Sequence, residues 1–208
     1  MSLKDQNKPI KVIAFFLLAT LYAWVVGWPL FDFASVLDGE GFKGLINASS
    51  IAFISISLLS LVLDGLFPKH LKEMLVHRRM NHPLPGSRAF SEIAAHDTRI
   101  DLDAITRKYG SPPIEPAKQN RLFYKIYQSC QDAVGVKDAH RSYLLFRDLA
   151  FDTYILSSLL TAYTAIFGAG VAKAIIVLPV GFGIGFVLSV AATNFAARFV
   201  CNVLAAAK

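Results

Sequence analysis

AIIVLPVGFGIGFVLSVAATNFAA, residues 174–197, runs 24 residues without an Asp, Glu, Lys or Arg. A helix rising about 1.5 Å per residue covers about 36 Å over that length, more than a hydrocarbon core of about 30 Å. Residues 12–31, 44–63 and 153–172 also lack these four residue types for 20 residues each. Inside a bilayer every backbone amide needs a partner within its own segment, so each stretch is expected to be a helix. Buried helices of a soluble protein would look the same locally. Four of them, however, would have to be wrapped by the polar remainder, which is too small. The expected fold class is therefore an all-α integral membrane protein. Residues 1–67 would hold one transmembrane hairpin (spans about 12–31 and 44–67). Residues 68–148 would form a small helical cytoplasmic domain, and 149–208 a second hairpin (spans about 150–172 and 174–198) with a short tail.

Composition agrees with that division. The chain has 208 residues, 54% hydrophobic and 17% charged, where a soluble domain carries about a quarter charged. Residues 68–148 concentrate 14 of the 21 Lys and Arg. A soluble enzyme, a disordered chain and a disulfide scaffold are excluded on this distribution. Lys4, Lys8, Lys11, Arg198 and Lys208 lie on the same side as the insert, against Lys43 and Lys173 opposite. Positive residues stay cytoplasmic, so both termini and the insert should face the cytosol of a bacterial inner membrane. Trp24 and Trp28 would rest at the outer headgroups, with Pro29 ending the helix. Cys130 and Cys201 both fall on the reducing side, where no disulfide is expected.

Gly181, Gly185, Ser189, Thr193 and Ala197 recur every four residues, and Ser157, Thr161, Ala165 and Ala169 repeat the spacing in the preceding span. Small residues let helix backbones approach closely, which drives association where the hydrophobic effect is absent. These stripes would face each other within one hairpin or, alternatively, face a symmetry mate and help line a water path. Asn47, Ser50, Ser55, Ser57 and Ser60 give the second span hydroxyl and amide groups for cross-helix bonds. Asp64, Asp152 and Arg198 lie near the cytoplasmic boundary, and Arg198 is expected to pair with one of the two acids. No ionisable group is expected at mid-depth, which disfavours proton-coupled transport.

Within the insert, residues 69–80 are expected to be a basic helix with Leu71, Met74 and Leu75 on its apolar face. Residues 81–86, NHPLPG, are a loop. Phe90, Ile93 and Ala94 have helical spacing, and Thr98 with Asp101 looks like a capping box for a helix that Gly110 ends. Pro116 opens the longest helix, with Phe123, Ile126, Tyr127 and Cys130 on one face, and Gly135 breaks it. Five such helices make a thin core, so the insert should lean on the hairpins or on copies of itself. Lys69, Lys72, Arg78, Arg79, Arg88, Arg121 and Arg141 are the candidate surface for anionic lipid or a soluble cytoplasmic protein partner. Nucleic acid is not expected, since acids are interspersed throughout.

No catalytic, cofactor or metal site is expected. All five histidines (His70, His77, His82, His96, His140) lie in the insert, but their spacing does not suit zinc and no cysteine is near in sequence. Asp101 and Asp103 would point about 200° apart on a helix. An enzyme would require His82, Arg88, His140 and Arg141 to gather at a pocket.

Residues 80–90 (MNHPLPGSRAF), 98–101 (TRID), 119–124 (QNRLFY) and 140–148 (HRSYLLFRD) resemble a group of uncharacterised bacterial four-pass membrane proteins with a helical cytoplasmic insert. The resemblance spans roughly residues 75–150 and brings no activity with it. In layout alone the chain is also similar to small multi-pass accessory proteins of anti-phage systems, in which a cytoplasmic module relays a signal to an oligomeric membrane part. The expected function is thus a non-enzymatic, homo-oligomeric membrane protein whose insert binds a partner or signal, with a pore or permeability effector as its most concrete form. The alternative is a passive anchor that recruits a soluble complex.

Overall fold

The computed structural model describes residues 3–26, 58–59, 62–63, 65–167 and 171–207. They are all-α: α1 (Leu3–Val26), α2 (Lys69–His77), α3 (Leu102–Tyr109), α4 (Pro116–Cys130), α5 (Val134–Phe167) and α6 (Val171–Ala205), with a run of 3-10 and π turns from Pro85 to His96. Four membrane spans are not what these residues contain. Two helices, Val134–Ile166 within α5 and Ala174–Ala205 within α6, are long and apolar enough to cross a membrane. α1, which carries Lys4, Asp5, Lys8 and Lys11, is not one of the two, and residues 27–31 of the first anticipated span lie outside the described residues. The second anticipated span, with its Asn and Ser residues and Asp64, lies mostly outside the described residues. So do Trp28, Pro29, the connection carrying Lys43, and the turn with Ala169.

The chain divides into two compact units. Unit 1 comprises Met1–Gln6, Pro68–Arg147 and Leu188–Lys208. Its core joins Phe90, Ala94, Ile105, Phe123, Ile126 and Tyr143 of the insert to Ala196, Phe199, Val200, Val203 and Leu204 of α6. The lower part of α6, expected to be span and tail, is therefore interior to the insert's fold. This supplies the apolar area that the five insert helices lack. Phe199 is the centre of an aromatic cluster, stacked on His140 at 4.4 Å and meeting Phe123 and Tyr127 edge-on at 5.6 and 5.3 Å.

Local chemistry sets the ends of these helices. α2 stops at His77 because Arg78 turns left-handed (φ 52°), three residues before the expected end. Asp101 is itself the N-cap of α3, its Oδ1 accepting from the Ala104 amide at 2.8 Å, so Thr98 lies outside the cap rather than forming a box with it. Gly110 closes α3 at φ 87°, where a side chain would be strained. Pro116 occupies the first turn of α4, where its missing N–H costs nothing. Gly135 does not break a helix but sits in the first turn of α5, and the break falls at residues 131–133. The 3-10 and π turns are held by Gln119 of α4. Its Oε1 accepts from the Phe90 amide (3.2 Å) and from the Ser91 amide and hydroxyl (3.3 Å each), while its Nε2 donates to the Ile114 carbonyl.

Unit 2 comprises Asn7–Phe67 and Asp148–Val187. Phe15, Ala19 and Tyr22 of α1 pack with Leu63, Leu156 and Val177. The Tyr22 and Ser157 hydroxyls share a hydrogen bond of 2.5 Å, and Ser157 donates to the Thr153 carbonyl. The Lys11 ammonium pairs with the Asp152 carboxylate at 2.8 Å, the two side chains being 3% and 0% exposed. Large apolar side chains point outward instead: Ile13 (57% exposed), Leu17 (62%), Ile166 (70%) and Val187 (67%).

Candidate functional site

α2 buries its polar side. Lys72, Glu73, Val76 and His77 face inward, while Leu75 is exposed and Leu71 and Met74 are only half-buried. The expected apolar face of this helix is thus corrected: the face turned inward carries Lys72, Glu73 and His77, with Val76 its one apolar residue. Glu73, 1% exposed, accepts from the Arg147 guanidinium at 3.0 Å on Oε1. On Oε2 it accepts a hydrogen bond from the Tyr143 hydroxyl and lies 3.3 Å from His77 Nε2. The other His77 nitrogen lies 3.3 Å from the Thr193 hydroxyl. Ser189 donates to the Val76 carbonyl and accepts from the Arg78 guanidinium at 3.1 Å. Burial alone would push the Glu73 carboxyl up. Hydrogen bonds from His77 and Tyr143 and the charge of Arg147 outweigh it and hold the group down at about 2.

Beside this network opens a pocket of about 150 Å³. Phe123, Tyr127, His140 and Phe199 give it aromatic walls, and Leu84, Pro85 and Gly86 close one side. Gly86 allows this close approach: a Cβ there would stand 2.5 Å from Asn120 Oδ1 and 2.6 Å from Phe123 Cδ1. His140 is oriented by a 3.1 Å hydrogen bond between its Nδ1 and the Tyr127 hydroxyl. Glu73 and Arg147 reach the pocket as a pair already joined to each other.

The residues singled out from sequence are distributed unevenly over this arrangement. In unit 2, Gly181 faces Ser157 and Tyr22, and Gly185 packs on the Tyr154 ring. In unit 1, Ser189 and Thr193 serve the polar network rather than a bare helix contact. Ala197 and Thr161 are half-buried and Ala165 is exposed. A strict four-residue repeat gains about 40° per step on an α-helix, so each stripe turns off its seam after two or three members. At the boundary charges, Asp152 pairs with Lys11, and Arg198 lays its guanidinium over the Phe195 ring at 5.5 Å. Asp64 lies outside the described residues.

Of the seven basic surface candidates, Lys69, Arg78, Arg79 and Arg121 are exposed and Arg141 is half-buried. Lys72 is not a surface residue: it is 2% exposed, because it belongs to the inward face of α2. Arg88 is largely covered and sits 3.9 Å from Glu92, which also holds Arg79 at 3.3 Å. Of His82, Arg88, His140 and Arg141, only His140 lines the pocket. Among the described residues no group of three or more His, Cys, Asp or Glu gathers as a metal site would. Glu73, Tyr143 and Arg147 are not among the sequence candidates, and His77 is weighed there only as a metal ligand; their signal is a pair of i, i+4 polar couples, 73/77 and 143/147. No family model, curated protein or solved structure matches the chain.

Proposed function

We propose that this chain is an integral membrane protein without enzymatic activity, in which α5 and α6 cross a bacterial inner membrane and unit 1 serves as a cytosolic binding domain. The observation that carries this reading is the inverted exposure of unit 2, where an ion pair is buried while Ile13, Leu17, Ile166 and Val187 point out. In water that arrangement would leave a large apolar patch hydrated; in lipid it matches its solvent. The unit-2 part of α5, residues 148–167, reaches about 30 Å, the thickness to be spanned. Unit 1 carries most of the cations, which favours the cytosolic side.

The pocket favours a domain that takes up a signal over a passive anchor, since a recruiting surface needs no recess of ligand size. A permeability effector is the most concrete form of this reading. The apolar exterior of unit 2 is open to a second copy as well as to lipid, and homo-oligomerisation belongs to the same proposal. The test is alkaline carbonate extraction followed by maleimide labelling of Lys118→Cys in a chain with Cys130 and Cys201 replaced by Ser. The chain should stay in the membrane pellet, and the exposed Cys should label only after the cells are opened. Release into the supernatant, or labelling in intact cells, would contradict the proposal.

A further inference from the structure

The pocket in unit 1 has a definable occupant. Its volume, about 150 Å³, equals that of a protein cavity known to admit benzene, so it has room for one six-membered ring, with a side open to solvent for a polar group. His140 and Phe199 are stacked on each other at 4.4 Å and Phe123 stands edge-on to Phe199, so the wall presents ring edges and outer faces to a ligand. Such faces prefer offset or edge contact with another ring.

Charge fixes the rest. Glu73 offers no open carboxylate to a cationic ligand, because Arg147, Tyr143 and His77 occupy both of its oxygens. Lys69 lines the same pocket, is exposed, and forms no ion pair or hydrogen bond among the described residues. The Asn120 amide and the Tyr124 hydroxyl on the wall likewise make no hydrogen bond among them. One uncommitted positive charge and two uncommitted polar groups therefore stand beside an aromatic wall.

We propose that this pocket binds a single-ring aromatic carboxylate, its ring against His140 and Phe199 and its carboxylate toward Lys69. The proposal rests on unit 1 being a binding domain, but it does not depend on where the chain resides. The experiment is isothermal titration of the full chain in nonionic detergent with benzoate, benzylamine and acetate, against protein-free micelles. Benzoate should bind at least about ten-fold more tightly than the other two, which lack either the charge or the ring. Lys69→Met, at an exposed position, should weaken benzoate about five-fold, the worth of one solvent-exposed charge contact. Tyr124→Ala, also exposed, should weaken it by a smaller factor. Equal binding of benzylamine or acetate, no binding at all, or an unchanged affinity in Lys69→Met would each overturn the assignment. A chain that stays in membranes but ignores benzoate sinks this inference alone. One that binds benzoate yet extracts as a soluble species sinks the membrane reading alone.

Discussion

Glu73 shows what a single buried acid does here. Breaking a buried ion pair by removing one partner costs about 3 kcal/mol, because the other charge is left desolvated and alone. Glu73→Gln keeps the shape but leaves the Arg147 guanidinium facing a neutral amide. Its unfolding free energy should fall by about that amount in a denaturant titration of the detergent-solubilised chain. Tyr143→Phe removes the hydroxyl's bond to the carboxylate and its 3.3 Å contact with His77 Nε2 but leaves the ion pair, and should cost less, about 1.5 kcal/mol. The pH dependence has a fixed sign. The Glu73 pKa lies lower in the folded chain (about 2) than in the unfolded one (about 4.5). Its contribution is therefore complete above pH 4.5 and lost as pH falls from there toward 2. Melting temperatures at pH 6, 4 and 3 should drop more steeply for the native chain than for Glu73→Gln; parallel curves would count against the network. None of this was legible from apolar periodicity. Leu71, Met74 and Leu75 announce a face that the structure leaves half-buried or exposed, because tertiary pairing of Glu73 with Arg147 and Tyr143 overrides the local pattern.

At the scale of helices, packing turns on where glycine is needed. A Cβ on Gly185 would meet the Tyr154 ring at 2.7 Å, whereas one on Gly183 meets nothing within 4 Å. Gly185→Leu should therefore destabilise by about 1–3 kcal/mol through overpacking. Gly183→Leu should be neutral or slightly stabilising, since leucine is the better helix former. Thermal melts of the two variants that fell together would refute a close α5–α6 seam there. The four-residue stripe was readable in sequence at its Gly181 and Gly185 end because close approach admits few residue types. It was unreadable beyond, where Ser189 and Thr193 turn to hydrogen bonding with Val76 and His77. Helix ends were legible where Gly110 and Pro116 punctuate the chain, and missed at Arg78, where a non-glycine residue takes the left-handed conformation.

For the molecule as a whole, the division into two units rests on helices that contribute to both. α6 donates Phe199, Val200 and Val203 to the core of unit 1. Phe199→Ala should cost about 3–5 kcal/mol, the range for emptying a buried aromatic position, and should expose residues of the insert to limited proteolysis. If the insert keeps its protection, its core does not depend on α6. Charge-free length located apolar helix correctly in α5 and α6 but could not tell lipid from protein interior as its surroundings. Both environments exclude water, and only the contacts of Ala196 or Phe199 distinguish them.

The shared core also sets an order of events during translation. Residues 68–147 leave the ribosome before 188–207, with the apolar part of α5 and α6 made in between. The aromatic interior of the insert therefore stays incomplete until α6 is made, and a nascent chain stalled before α6 emerges should expose that interior and bind chaperones.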